Sequence, residues 1–173
     1  CGLDYFRLPE DEFEKQENIK KQKEVFIAQI EFAKKVKKPL IVHIREASND
    51  SRQILVDYNA KEVGGVLHCY NASEHLLSLA EHNFYFGIGG VLTFKNAKKL
   101  VEVLPKIPKD KLLIETDAPY LTPHPHRGER NEPYYTVFVA QKMAELLQIN
   151  EDEIQKLTTN NAKKLFKEFS SLS

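Results

Sequence analysis

Short apolar runs that stop abruptly at polar, metal-capable side chains constrain this chain more than any other feature. Pro39-Leu40-Ile41-Val42-His43-Ile44-Arg45, Gly65-Val66-Leu67-His68-Cys69-Tyr70 and Lys111-Leu112-Leu113-Ile114-Glu115-Thr116-Asp117 each read as a buried strand emerging into a loop. Phe84-Tyr85-Phe86-Gly87-Ile88-Gly89-Gly90 is another strand, with glycines at its end that would let a ligand approach the backbone closely. The runs read apolar on both faces and alternate with helical segments. That is the signature of a parallel α/β sheet, open or closed.

Between the strands, periodicity predicts a helix over residues 13–37 with Ile19, Phe26, Ile30 and Ala33 on one face. Its lysines, interleaved with glutamates, read as a solvated surface. A short helix should carry Ile54, Leu55 and Tyr58 inward, and Asn71 or Ser73 should cap one bearing Leu76, Leu77 and Ala80. Asn96 is expected to cap a helix through Leu100, Val101 and Leu104, which Pro105 and Pro108 break. Pro133 suits the first turn of a helix through Val137, Ala140, Ala144 and Leu147. Asn150 with Glu153 caps the next (Ile154, Leu157), and a last helix after Asn160 should bury Leu165, Phe166 and Phe169. Residues 1–173 read as one domain without a linker.

The 173 residues suffice for a real core, and no apolar stretch approaches the ~18 residues of a membrane span. Basic and acidic residues balance at 25 each, which argues against a protein that coats nucleic acid through a global positive field. A local contact with a phosphodiester through a metal needs no such field. Cys1 and Cys69 form no CxxC, so neither a disulfide framework nor a thiolate zinc site is indicated, in keeping with a reducing cytoplasm. Cys1-Gly2-Leu3-Asp4-Tyr5 opens the chain without Met and reads as the tail of a strand begun upstream, so a fragment is expected.

A single histidine at a strand end is usually a satisfied core residue. His43 and His68 at equivalent strand ends, together with Asp117, point instead to a metal site. Oxygen and nitrogen donors without cysteine suit hydrolytic Zn, Mn or Mg. Glu115 and Asp117 are two apart and would face one side if the strand persisted. Asp117 reads as ligand and proton acceptor, Glu115 as the partner that orients a histidine. Prolines put His124 and His126 on a loop, which disfavours an H-x-H metal motif and leaves substrate contact as the alternative. His75 and His82 are expected at the surface. Arg45 and Arg127 could clamp phosphate oxygens or fix their loops through salt bridges.

GLDYFR, PLIVHIREA, GVLHCY, FYFGIGG, LLIETDAPYLTPHPHRGERNEP and TTNNAKKLF together resemble the TatD-type metal-dependent deoxyribonucleases of the amidohydrolase superfamily, along the whole chain. The resemblance implies a (β/α)8 barrel of TIM type with one or two divalent ions (Mg, Mn or Zn) at its mouth. His43, His68 and Asp117 match the family's ligands on its fifth, sixth and eighth strands, and Asn131 joins Glu115, Arg45 and Arg127 as supporting or substrate-binding residues. The implied reaction is hydrolysis of DNA phosphodiesters, with RNA as a further substrate and no membrane or obligate protein partner. A related metallohydrolase of small amides or esters, and an inactive truncated barrel serving as a scaffold, are the alternatives. The family's initial H-x-H strand and its bridging Glu before GLDY have no counterpart here. Against the ~250 residues of a whole barrel, only the end of strand 4 through strand 8 and the C-terminal helices are expected, with open sheet edges and an incomplete active site.

Overall fold

A computed structural model describes residues 1–167. Five strands, β1 (Gly2–Asp4), β2 (Leu40–Arg45), β3 (Gly65–His68), β4 (Phe84–Ile88) and β5 (Leu112–Ile114), form one sheet. Every pairing is parallel, and the spatial order follows the chain order from β1 to β5. A doubly wound sheet reverses its strand order at a switch point. This sheet has no reversal, and its single-sense winding is that of a (β/α)8 barrel wall. All strand C-termini therefore open on one end of the molecule.

Helix α1 (Glu12–Val36) follows β1, and its ends obey capping chemistry. Asp11 accepts the Glu14 N–H at 2.9 Å, Glu12 and Glu14 sit at the positive end, and Lys34 and Lys35 at the negative end. Its Phe26, Ile30 and Ala33 are buried, while Ile19 is only half-buried. Helix α2 (Ser48–Asp57) buries Ile54 and Leu55, but Tyr58 lies just past its end and remains exposed. The segment Glu74–His82 is 3-10 rather than α-helical. Leu76 and Leu79, the pair it buries, are three apart and so share a face at three residues per turn. Asn71 accepts the Ser73 N–H at 3.0 Å as a local turn and caps no helix.

Helix α3 (Lys98–Val103) starts after Ala97, and Asn96 makes no cap. Beyond β5, Pro133–Tyr135 forms a 3-10 turn that leads into α4 (Thr136–Leu147). Val139 and Met143 are fully buried there, whereas Val137 and Leu147 are partly so. Helix α5 (Glu151–Leu165) begins at the predicted Asn150 cap but runs unbroken through Asn160. Asn161 is buried inside it and donates to the Lys109 and Leu112 carbonyls at 2.9 Å each, so tertiary bonding overrides its weak helix preference. Leu165 is buried and Phe166 half-buried; Phe169 lies outside the described residues.

The two faces of the sheet differ. Leu40, Val42, Ile44, Leu67, Phe84, Phe86, Ile88 and Leu112 join the helices in the main core, where Tyr70 meets Phe86 edge to face at 4.9 Å. On the other face, Val66, Tyr85 and Leu113 pack on Leu165 of α5 in a smaller cluster. Ile41, His43 and Arg45 share that face and are exposed, with Ile41 at 56%. A barrel wall needs this arrangement, with one face for its helices and one for its interior.

Candidate active site

His43 and His68 are direct register partners on β2 and β3, so their imidazoles leave one face of the sheet from neighbouring strands. Each ring is held by carboxylates. His68 Nδ1 lies 2.9 Å from Glu115 Oε2, and its Nε2 lies 3.1 Å from Asp117 Oδ1. His43 Nε2 lies 2.9 Å from Asp4 Oδ2 at the end of β1.

The strand that delivers Glu115 and Asp117 ends at Ile114, so its pleat does not carry the two carboxylates to a common side. Asp117 instead turns back through a left-handed backbone (φ 57°), and both acids close on His68 from opposite ends of its ring. Glu46 (φ 54°) and Cys69 (φ 46°) adopt the same costly conformation just past β2 and β3. These are three of the nine non-glycine residues with positive φ among the described residues, and such strain persists only where surrounding structure enforces it.

Glu115 is fixed from behind by the Cys69 N–H, which donates to Oε1 at 2.6 Å. Gly87 makes room for it, since a Cβ there would overlap the Glu115 carboxylate. The glycine thus admits a side chain of this chain, not the ligand that the sequence suggests.

Hydrogen bonding from Glu115 raises the His68 pKa, against the opposing effect of burial, and Asp117 adds to the rise. Partial burial works to raise the Asp4 pKa, but the Phe6 N–H, the His43 ring and the Arg45 charge outweigh it and hold that carboxyl below its usual value. Burial, reinforced by the negative charges of Glu115 and Asp117, pushes the Cys69 thiol up to about 12, so it is no nucleophile at neutral pH.

Asn131 is 2% exposed and bonds only to backbone: its Nδ2 donates to the Thr116 and Tyr120 carbonyls at 2.7 Å each. It ties together the two sides of the loop that carries Asp117. Arg127 lies 3.9 Å from the Phe94 ring centre and donates to the Thr122 carbonyl at 3.0 Å, while Arg45 lies 3.4 Å from the centre of Phe6. His126 stacks on Tyr135 at 4.4 Å and pairs with Glu129, and His124 faces Phe94, so this loop's histidines serve its packing. His75 is exposed and His82 half-buried. A cavity of about 490 Å³ between β5, α4 and α5 is lined by none of these groups.

Sequence reading overlooked Asp4 and Phe6. Asp4 ends the short run Gly2-Leu3 just as His43 ends its own, and the strand-end criterion applied there would have found it. Nothing in the sequence marks Phe6.

The donor chemistry fits a divalent ion: imidazole nitrogens and carboxylate oxygens lie at strand ends along one rim, with a carboxylate behind the His68 ring as metal-bound imidazoles favour. Among the described residues, however, no three such side chains close on a single point.

A parallel α/β wall with histidines and carboxylates at its C-terminal rim places the chain among the (β/α)8 barrels, which build their sites at that end. Within that class, residues 1–167 match the family model described as TatD related DNase, and the chain belongs to this family. It is 51% identical over 147 residues to the uncharacterized metal-dependent hydrolase YabD of Bacillus subtilis, covering 84% of this chain and 58% of that protein. It is 39% identical over 166 residues to the uncharacterized metal-dependent hydrolase YcfH of Escherichia coli, covering 95% and 60%. The crystal structure of YJJV, a TatD homologue from E. coli, superposes with a TM-score of 0.85 at 27% identity over 96% of this chain and 62% of that one. The chain thus spans about 60% of the length of the relatives it matches. Among the described residues, no helix is long and apolar enough to cross a membrane.

Proposed function

We propose that this chain carries the rim of a metal-dependent hydrolase acting on DNA phosphodiesters, with His43, His68 and Asp117 as the donors it brings to a divalent ion (Mg, Mn or Zn). The observation that carries the reading is His68 held between Glu115 and Asp117. When bound, such an ion supplies positive charge that acidifies a water and neutralises a phosphate oxygen. Glu115 keeps His68 in the tautomer with its proton on Nδ1, leaving Nε2 as a donor to the ion. Asp117, at the open end of the ring and one-third exposed, would accept the proton of the attacking water. The Cys69 N–H and Gly87 hold Glu115 in that role. The relatives named metal-dependent hydrolases and the family description support the assignment. Two free cysteines suit a reducing compartment such as the cytoplasm.

The test is release of nucleotides from single-stranded DNA with and without chelator. Hydrolysis that requires a divalent ion and is abolished in Asp117→Asn is expected. Turnover of small esters or amides without any cleavage of DNA or RNA would contradict the reading.

A further inference from the structure

Two arginines at the rim lie flat on phenylalanine rings, and they differ in what is left of their hydrogen-bonding capacity. Arg127, on Phe94, also donates to the Thr122 carbonyl and so braces its own loop. Arg45 touches the Phe6 ring, and among the described residues its guanidinium makes no hydrogen bond or ion pair. Its register partner Asp4 accepts from the Phe6 N–H through Oδ1 and pairs with His43 through Oδ2. Phe6 is itself 44% exposed, so the stack adds little to a core. What it does is fix the plane of a guanidinium whose five N–H groups remain open to a ligand.

The position of Arg45 gives that ligand a chemistry. It lies two residues beyond His43 on the same exposed face of β2, which places it ~6.6 Å further along the strand. That is about the repeat between successive phosphates of an extended nucleotide chain. Resting on the phosphodiesterase reading above, we infer that Arg45, presented by Phe6, grips the phosphate next to the one being hydrolysed. The substrate is then a polynucleotide strand, not a mononucleotide or a small phosphoester.

Binding of a labelled oligothymidylate tests this by fluorescence anisotropy in Mg²⁺ over a range of NaCl, in an Asp117→Asn background that does not hydrolyse it. Losing one phosphate contact should reduce the slope of log affinity against log salt by about 0.7 in Arg45→Ala. Phe6→Ala should weaken binding as well, and Lys35→Ala in the last turn of α1, at the start of β2 and away from the rim, should not. A second probe carries one uncharged methylphosphonate beside the scissile linkage. It should bind the Arg45 protein more weakly than the all-phosphate strand does, and bind Arg45→Ala no differently from that strand, which a loop-bracing role for Arg45 would not produce. An unchanged salt slope in Arg45→Ala, equal sensitivity of both proteins to the neutral linkage, or no oligonucleotide binding at all would each overturn the inference. Metal-dependent cleavage by the protein with Asp117 intact, together with an unchanged slope, removes the Arg45 contact and leaves the hydrolytic reading standing. A lowered slope with no cleavage by the protein with Asp117 intact supports the contact and counts against hydrolysis.

Discussion

At the scale of single residues, the site depends on groups that never touch a substrate. Gly87 has no side chain, and the Glu115 carboxylate occupies the space where one would be. Gly87→Ala should displace Glu115 from His68 and weaken metal affinity by ~10–100-fold, the usual cost of losing the carboxylate behind a liganding imidazole. Titration calorimetry with Mn²⁺ or Zn²⁺ checks this, and unchanged far-UV circular dichroism shows that the fold survives. Asn131 offers a parallel case. Asn131→Ala leaves the Thr116 and Tyr120 carbonyls without their shared donor and should cost about 1–3 kcal/mol in urea unfolding. The sequence singled out His43, His68 and Asp117 as candidate donors because each lies at or just past the end of an apolar run, a local pattern. It could not disclose that Gly87 serves Glu115, since that pairing joins two strands through space.

At the scale of elements, an ion-pair cluster ties the end of β1 to α1 and α2. Lys23 lies 2.7 Å from Asp50 Oδ2, and the Tyr5 hydroxyl donates to the same oxygen at 2.9 Å. The bond from Lys23 lowers the Asp50 pKa, burial opposes it, and Tyr5 adds to the lowering. A carboxyl with a depressed folded pKa contributes stability that is present above its unfolded pKa of ~3.9 and lost as pH falls through the folded value. The contribution is modest for a half-exposed pair, at most ~1 kcal/mol. Asp50→Asn should therefore lower the melting temperature slightly at neutral pH and have no effect in strong acid, where the two melting curves meet. Helix α1 was legible because Ile19, Phe26, Ile30 and Ala33 recur at helical spacing ahead of Pro39. The 3-10 character of Glu74–His82 and the continuity of α5 through Asn160 were not, because the packing of Leu76 with Leu79 and the Asn161 bonds to the β5 approach decide them.

At the scale of the whole molecule, the main core and the candidate site occupy opposite faces of one sheet. The helix-covered face holds most of the buried apolar residues, so Phe86→Ala should cost ~3–5 kcal/mol in denaturant unfolding. Val66→Ala in the smaller cluster should cost clearly less. The parallel sheet could be read from alternating apolar runs, because buried parallel strands leave that pattern in any sequence, whereas the order of the strands followed only from the family resemblance. Which face would hold the histidines could not be read from β3 or β4, apolar on both sides; β2 alone alternates buried and exposed residues. The central claim, that His43, His68 and Asp117 hold a divalent ion at this rim, is met most directly by crystals soaked in Mn²⁺ or Zn²⁺ and measured for anomalous scattering. An anomalous peak bonded to His68 and Asp117, with His43 turned from Asp4 toward it, is the predicted result. A peak on His124 and His126, or none at any of the three donors, would contradict it.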